Sequence, residues 1–127
     1  MVVTGSHDEK PLTARFDTSA EQLKGRYSIE VGVIVPLNDP TPEGLPTPEE
    51  DRQLATIEAT LLRKADKESV LAGVITTGRT REFVLYTNSN TWIDDFHDAL
   101  QAAVPTHAVQ VMAKTDPDWS VYKSFVT

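Results

Sequence analysis

Between Ser69 and Thr87 the chain reads SVLAGVITTGRTREFVLYT, and this stretch constrains the fold more than any other. Val70, Leu71, Val74, Ile75, Phe83, Val84, Leu85 and Tyr86 supply the β-branched and aromatic content that strands favour. Two strands, Ser69–Thr76 and Arg81–Thr87, are expected around Thr77-Gly78-Arg79-Thr80. Gly78 supplies the residue that takes positive φ in a short hairpin loop.

The flanks of this hairpin are patterned too. Arg26–Leu37 places Ile29, Val31, Val33 and Val35 on one face at period-two spacing, which predicts a strand with one core side. A proline-rich loop, Asn38–Pro46, leads to a helix start: Thr47 as N-cap, Pro48 at N1 and Glu50 at N3 as a capping box. Leu54, Ile57, Leu61 and Ala65 form its apolar stripe. Beyond the hairpin, Asn90 or Thr91 is expected to cap a second helix over about Trp92 to Val104, with Ile93, Phe96, Leu100 and Val104 buried and Pro105 as the stop. His107–Ala113 alternates as a last strand. Asp116-Pro117-Asp118 is expected to start a short C-terminal helix carrying Trp119, Tyr122 and Val126. Ahead of all this, residues 1–11 read as a flexible start, Leu12–Asp17 as a brief edge strand and Thr18–Leu23 as a turn.

That order predicts an α+β domain over residues 12–127 with the split βαββαβ pattern called ferredoxin-like. Its antiparallel sheet carries two helices on one face and leaves the other face open for pairing.

The totals exclude several classes of function. No cysteine is present among the 127 residues, which excludes disulfides, thiolate metal sites and cysteine nucleophiles. Twelve Lys and Arg against nineteen Asp and Glu give a net charge of −7, which opposes binding to phosphate backbones. Nucleic acid is therefore not an expected partner. No apolar run approaches the ~18 residues of a membrane span, and the first residues lack the apolar core of a secretory signal, so a cytoplasmic location is expected.

Three groups of side chains could carry chemistry. Asp94, His97 and Asp98 lie one helical turn apart and are candidate metal ligands, although no partner motif completes the set; the other reading is a solvated face, with acids near a helix N-terminus. Arg79 and Arg81 flank the hairpin, where the planar guanidinium suits an anion clamp and equally protects a strand end. Trp119 and Tyr122 fit either an aromatic-walled partner surface or a helix pinned to the core. No catalytic constellation and no cofactor motif is present.

Four segments carry a family resemblance: IEVGVIVPL, EGLPTPEEDRQLATIE, AGVITTGRTREFVLYT and DPDWSVYKSF. Their order resembles the bacterial domain-of-unknown-function family six-nine-five, over about residues 12–126. The resemblance implies a small module without an assigned activity. It further suggests a fold-level likeness to the regulator of ribonuclease E activity B, which binds and inhibits a ribonuclease.

The expectation is a non-catalytic module that binds a protein partner, or itself, through its sheet face or a sheet edge. The alternative is a small anionic ligand held by Arg81 and Tyr86, and the third reading is a metal-dependent enzyme using Asp94, His97 and Asp98.

Overall fold

The computed structural model describes residues 1–7, 10–23 and 25–126. In chain order the elements are β1 (Val2–His7), β2 (Lys10–Phe16), a 3₁₀ turn (Thr18–Leu23), β3 (Ile29–Pro36), α1 (Pro48–Lys64), β4 (Ser69–Thr77), β5 (Thr80–Thr87), α2 (Ile93–Ala103), β6 (Gln110–Thr115) and α3 (Ser120–Val126). The six strands form one sheet in the order β1-β2-β4-β5-β3-β6, and every neighbouring pair is antiparallel. The described residues thus form an α+β structure with a six-stranded antiparallel sheet and three α-helices.

The hairpin forms where the sequence places it. Gly78 and Arg79 both take positive φ, 57° and 71°, the two-residue geometry whose twist matches the flanking strands. Gly78 meets this at little cost because it has no Cβ. α1 begins as its cap predicts, with the Thr47 hydroxyl accepting from the Glu50 N–H at 3.2 Å. The reciprocal half of the capping box does not form, because the Glu50 carboxylate is used elsewhere.

Alternation along the strands sends side chains to two cores. On one face Val31, Val33, Val35, Phe83 and Leu85 pack with Leu54, Ile57 and Leu61 of α1 and with Ile93, Phe96 and Leu100 of α2. On the other face Leu12, Ala14, Phe16, Ala72, Val84 and Tyr86 pack with Ala20 of the 3₁₀ turn and with Trp119 and Tyr122 of the C-terminal segment. The expectation of an open second face is therefore corrected over β2, β4 and β5. The apolar side chains of β2, β4 and β5 on that side are too many to leave in water, and the C-terminal aromatics cover them.

The chain start differs from its reading as well. Val2–His7 is a strand that pairs with β2 from Val2↔Arg15 to His7↔Lys10, in place of the flexible start expected for residues 1–11. Backbone pairing decides this, and apolar periodicity does not report it. Asp8 and Glu9 lie outside the described residues. β1 moves β2 inward, so β2 is not an edge strand; the edges are β1 and β6.

Two helix starts also shift. α2 begins at Ile93 after Trp92, with no side-chain cap from Asn90 or Thr91. α3 begins at Ser120 and not directly after Pro117, because Trp119 takes a left-handed backbone, φ 54°. That conformation costs roughly 1–3 kcal/mol in a bulky residue. Complete burial of the ring, and donation from its Nε1 to the Tyr27 carbonyl at 2.6 Å, hold it there. Among the described residues no helix is long and apolar enough to cross a membrane.

Candidate functional site

The helix-covered face is not covered completely. α1 and α2 pack over β3, β4 and β5, and a groove remains between α1 and the strands β2 and β4. Three hollows of about 290, 310 and 430 Å³ lie along it. The first two share Arg15, Glu58 and Val74; the second and third share Thr13, Asp51, Thr76 and Arg81. Neighbouring hollows thus share walls, and the shared residues include both members of the Arg15–Glu58 and Arg81–Asp51 pairs.

Period-two spacing directs Thr13 and Arg15 of β2, Val74 and Thr76 of β4 and Arg81 of β5 into this groove. Arg81 donates from Nε to the Thr76 hydroxyl and from a terminal nitrogen to Asp51 Oδ1, both at 2.9 Å. Arg15 pairs with Glu58 of α1. Each arginine on the strand wall is therefore met by a carboxylate on the helix wall, and the groove carries charge of both signs along its length.

Tyr86 is elsewhere. It is five residues from Arg81 on one strand, so it points through the opposite face. There it is fully buried, stacked on Trp119 with ring centroids 4.0 Å apart, and its hydroxyl donates to Asp116 Oδ2 at 2.8 Å. Burial first, and then that hydrogen bond, push the Tyr86 phenol well above its ordinary range. A ligand pocket lined by both Arg81 and Tyr86 does not form. Trp119 and Tyr122 are equally buried, so both pin the C-terminal segment to the sheet and present no surface. Arg79 is exposed at the hairpin tip, and its backbone N–H and C=O bond Gly44 and Leu37.

The helix acids do not converge either. Asp94 and Asp98 are exposed, while His97 Nε2 lies 2.8 Å from the Val109 carbonyl and fastens α2 to the chain entering β6. Among the described residues no group of three His, Asp or Glu side chains is placed to hold a metal ion.

Two acidic arrangements were not read from the sequence. Glu50, 3% exposed, accepts from the Asn38 N–H at 2.6 Å, the Asp39 N–H at 3.0 Å and His107 Nε2 at 2.7 Å. Burial alone would raise its carboxyl, but these donors outweigh it and hold the group below the ordinary carboxylate range. The imidazole is itself buried, with Nδ1 2.9 Å from the Thr106 hydroxyl. With both ring nitrogens occupied and little of either side chain exposed, this pair fastens the Asn38 loop to the lead-in of β6.

The second arrangement is on the face that carries Tyr86. Glu30 of β3 is 5% exposed and its Oε2 has no hydrogen-bond partner. Burial first, and then the neighbouring charge of Glu82, push its carboxyl up to about 7. Burial raises Glu82 as well. The signal in the sequence was a charged residue within the otherwise apolar IEVGVIV strand, two positions before Gly32; its partner, 52 residues away, left no local trace.

Searches of curated proteins and of solved structures each returned no match to the chain. A family model described as a family of unknown function (DUF695) matches residues 1–127, and the chain belongs to that family.

Proposed function

We propose that the protein is a non-catalytic binding module that seats a segment of a protein partner in the groove between α1 and strands β2 and β4. The observation that carries this reading is the row of three neighbouring hollows between α1 and the sheet, with the Arg15–Glu58 and Arg81–Asp51 pairs reaching across between them. Such a groove suits an extended segment with alternating acidic and basic side chains, which exchanges partners with these pairs. It is an uncovered part of the helix-bearing sheet face, so the expected use of a sheet face is kept at a new place. A regulator acting by protein contact, as suggested by likeness to the regulator of ribonuclease E activity B, is the role that fits, in a bacterial cytoplasm.

The finer architecture belongs to the same proposal. The strand order β4-β5-β3-β6 with helices between β3 and β4 and between β5 and β6 supports a ferredoxin-like βαββαβ unit, extended by β1, β2 and α3. An anion site built on Arg81 and Tyr86 loses its basis with their placement on opposite faces, and the Asp94, His97 and Asp98 enzyme lacks convergent ligands.

The test uses Ala55→Arg, an exposed α1 position in the groove wall at which arginine is a good helix former. A partner captured from bacterial lysate, identified by mass spectrometry and then purified, is expected to bind at least tenfold more weakly to this variant. Ala99→Arg on α2 is expected to bind as the parent does. A partner indifferent to Ala55→Arg, or the recovery of this chain alone, overturns the groove reading.

A further inference from the structure

Three neighbouring strands lay out a three-by-three grid on the face that carries Tyr86. Cross-strand partners are Glu82, Ile34 and Gln110 in one row, Val84, Gly32 and Met112 in the next, and Tyr86, Glu30 and Lys114 in the third. Gly32 holds the centre, and without a side chain it leaves a hole there. Glu82 and Glu30 lean over that hole from opposite sides. A Cβ at position 32 would lie 2.8 Å from Glu82 Oε2 and 3.4 Å from Glu30 Oε2. Glu30 is almost wholly buried, and its Oε2 accepts nothing. Lys114 is near, but its Nζ is 4.0 Å from Glu30 Oε1 and its side chain is 59% exposed. That is a loose ion pair and beyond hydrogen-bond distance.

We propose that this cradle over Gly32 binds a small organic cation, an alkylammonium or alkylguanidinium group seated between Glu30 and Glu82, with Lys114 swinging aside to admit it. Both Oε2 atoms supply acceptors, and that of Glu30 has no donor, the need that an N–H-bearing cation meets with charge-assisted hydrogen bonds. The surroundings suit a carbon chain: Val84 is buried, Ile34 half-buried, and Met112 is 64% exposed beside Gly32, a thioether that adapts to apolar ligands. Burial that raises both acids is relieved when a cation joins them. A hard divalent ion fits less well, because it takes six or more oxygens. Asp116, the next carboxylate, is already engaged by Tyr86 and Ser120. The proposal is independent of the groove, which lies on the other face.

Titration of the ¹⁵N-labelled protein tests it, with agmatine as the free amine and acetyl-arginine amide as the side-chain surrogate. Saturable shifts are expected at the amides of Gly32, Val84 and Met112, with a Kd of about 1 mM or tighter for at least one probe; the tighter probe identifies the natural source as a free amine or a protein side chain. Gly32→Ala fills the cradle at a position without positive φ and is expected to weaken binding at least tenfold with an unchanged circular dichroism spectrum. Glu82→Gln is expected to do the same, and carries the test where Gly32→Ala fails to fold. The proposal is overturned if neither probe saturates, if the folded variants bind as the parent does, or if Mg²⁺ or Ca²⁺ gives the same shifts at lower concentration.

Discussion

Glu50 and Glu30 are buried to nearly the same degree, 3% and 5% exposed, and their carboxyls are shifted in opposite directions. Glu50 sits where the chain turns into α1, among two free backbone N–H groups and an imidazole, and is held ionised. Glu30 sits in a strand paired on both sides, where the backbone donors are spent on β5 and β6, and it is pushed up to about 7 with another acid beside it. Burial is the same adverse factor in both. What differs is the supply of donors, which is plentiful at a loop that needs closing and absent within a completed sheet. One carboxylate is therefore structural cement and the other is left with unspent capacity.

The comparison breaks most readily at Glu50. Glu50→Ala removes one partner of a buried pair and strands the His107 ring and two backbone donors, so urea denaturation at neutral pH should show a loss of about 3 kcal/mol. A loss under ~1 kcal/mol, the range of an exposed pair, would mean that the loop closes without it. Glu30→Gln should act the other way, stabilising the protein at pH 8 by on the order of 2 kcal/mol. The sign follows from linkage. The folded carboxyl keeps its proton from the ordinary 4.5 up to about 7, so its contribution is present below the lower value and is lost as pH rises through the upper one. Glu50 runs oppositely, contributing above the unfolded pKa and losing its effect as pH falls. Parallel pH series of the two variants against the parent should therefore diverge in opposite directions, and parallel curves would sink the contrast. Smallest is Asp51→Asn: its side chain is 58% exposed, and the loss of its pair with Arg81 should cost under about 1 kcal/mol.

Much of the fold was legible because its signals are local. The Thr47-Pro48 start of α1, the Gly78 hairpin and the Val31, Val33, Val35 stripe each sit within a few residues of the structure they dictate. The shared site expected for Arg81 and Tyr86 ran against a signal just as local, since an odd spacing on a strand separates faces. β1 was not legible, because Thr4, Gly5 and Ser6 carry no pattern and the strand exists through its pairing with β2. The shifted start of α3 depends on Trp119 reaching the Tyr27 carbonyl 92 residues away. The Glu30–Glu82 cradle and the groove arise only when separate strands and α1 are brought together, so neither has a motif.

The two tryptophans of the chain have divided the molecule between them. Trp92 packs edge-on to Phe96 at 5.1 Å against the core beneath α1 and α2, and Trp119 lies flat on Tyr86 in the core beneath α3. Each layer thus carries its own built-in chromophore, separated by the thickness of the sheet. The emission of Trp92→Phe and Trp119→Phe variants reads the two layers one at a time, and coincident melting curves would show that the sheet couples them into one cooperative unit.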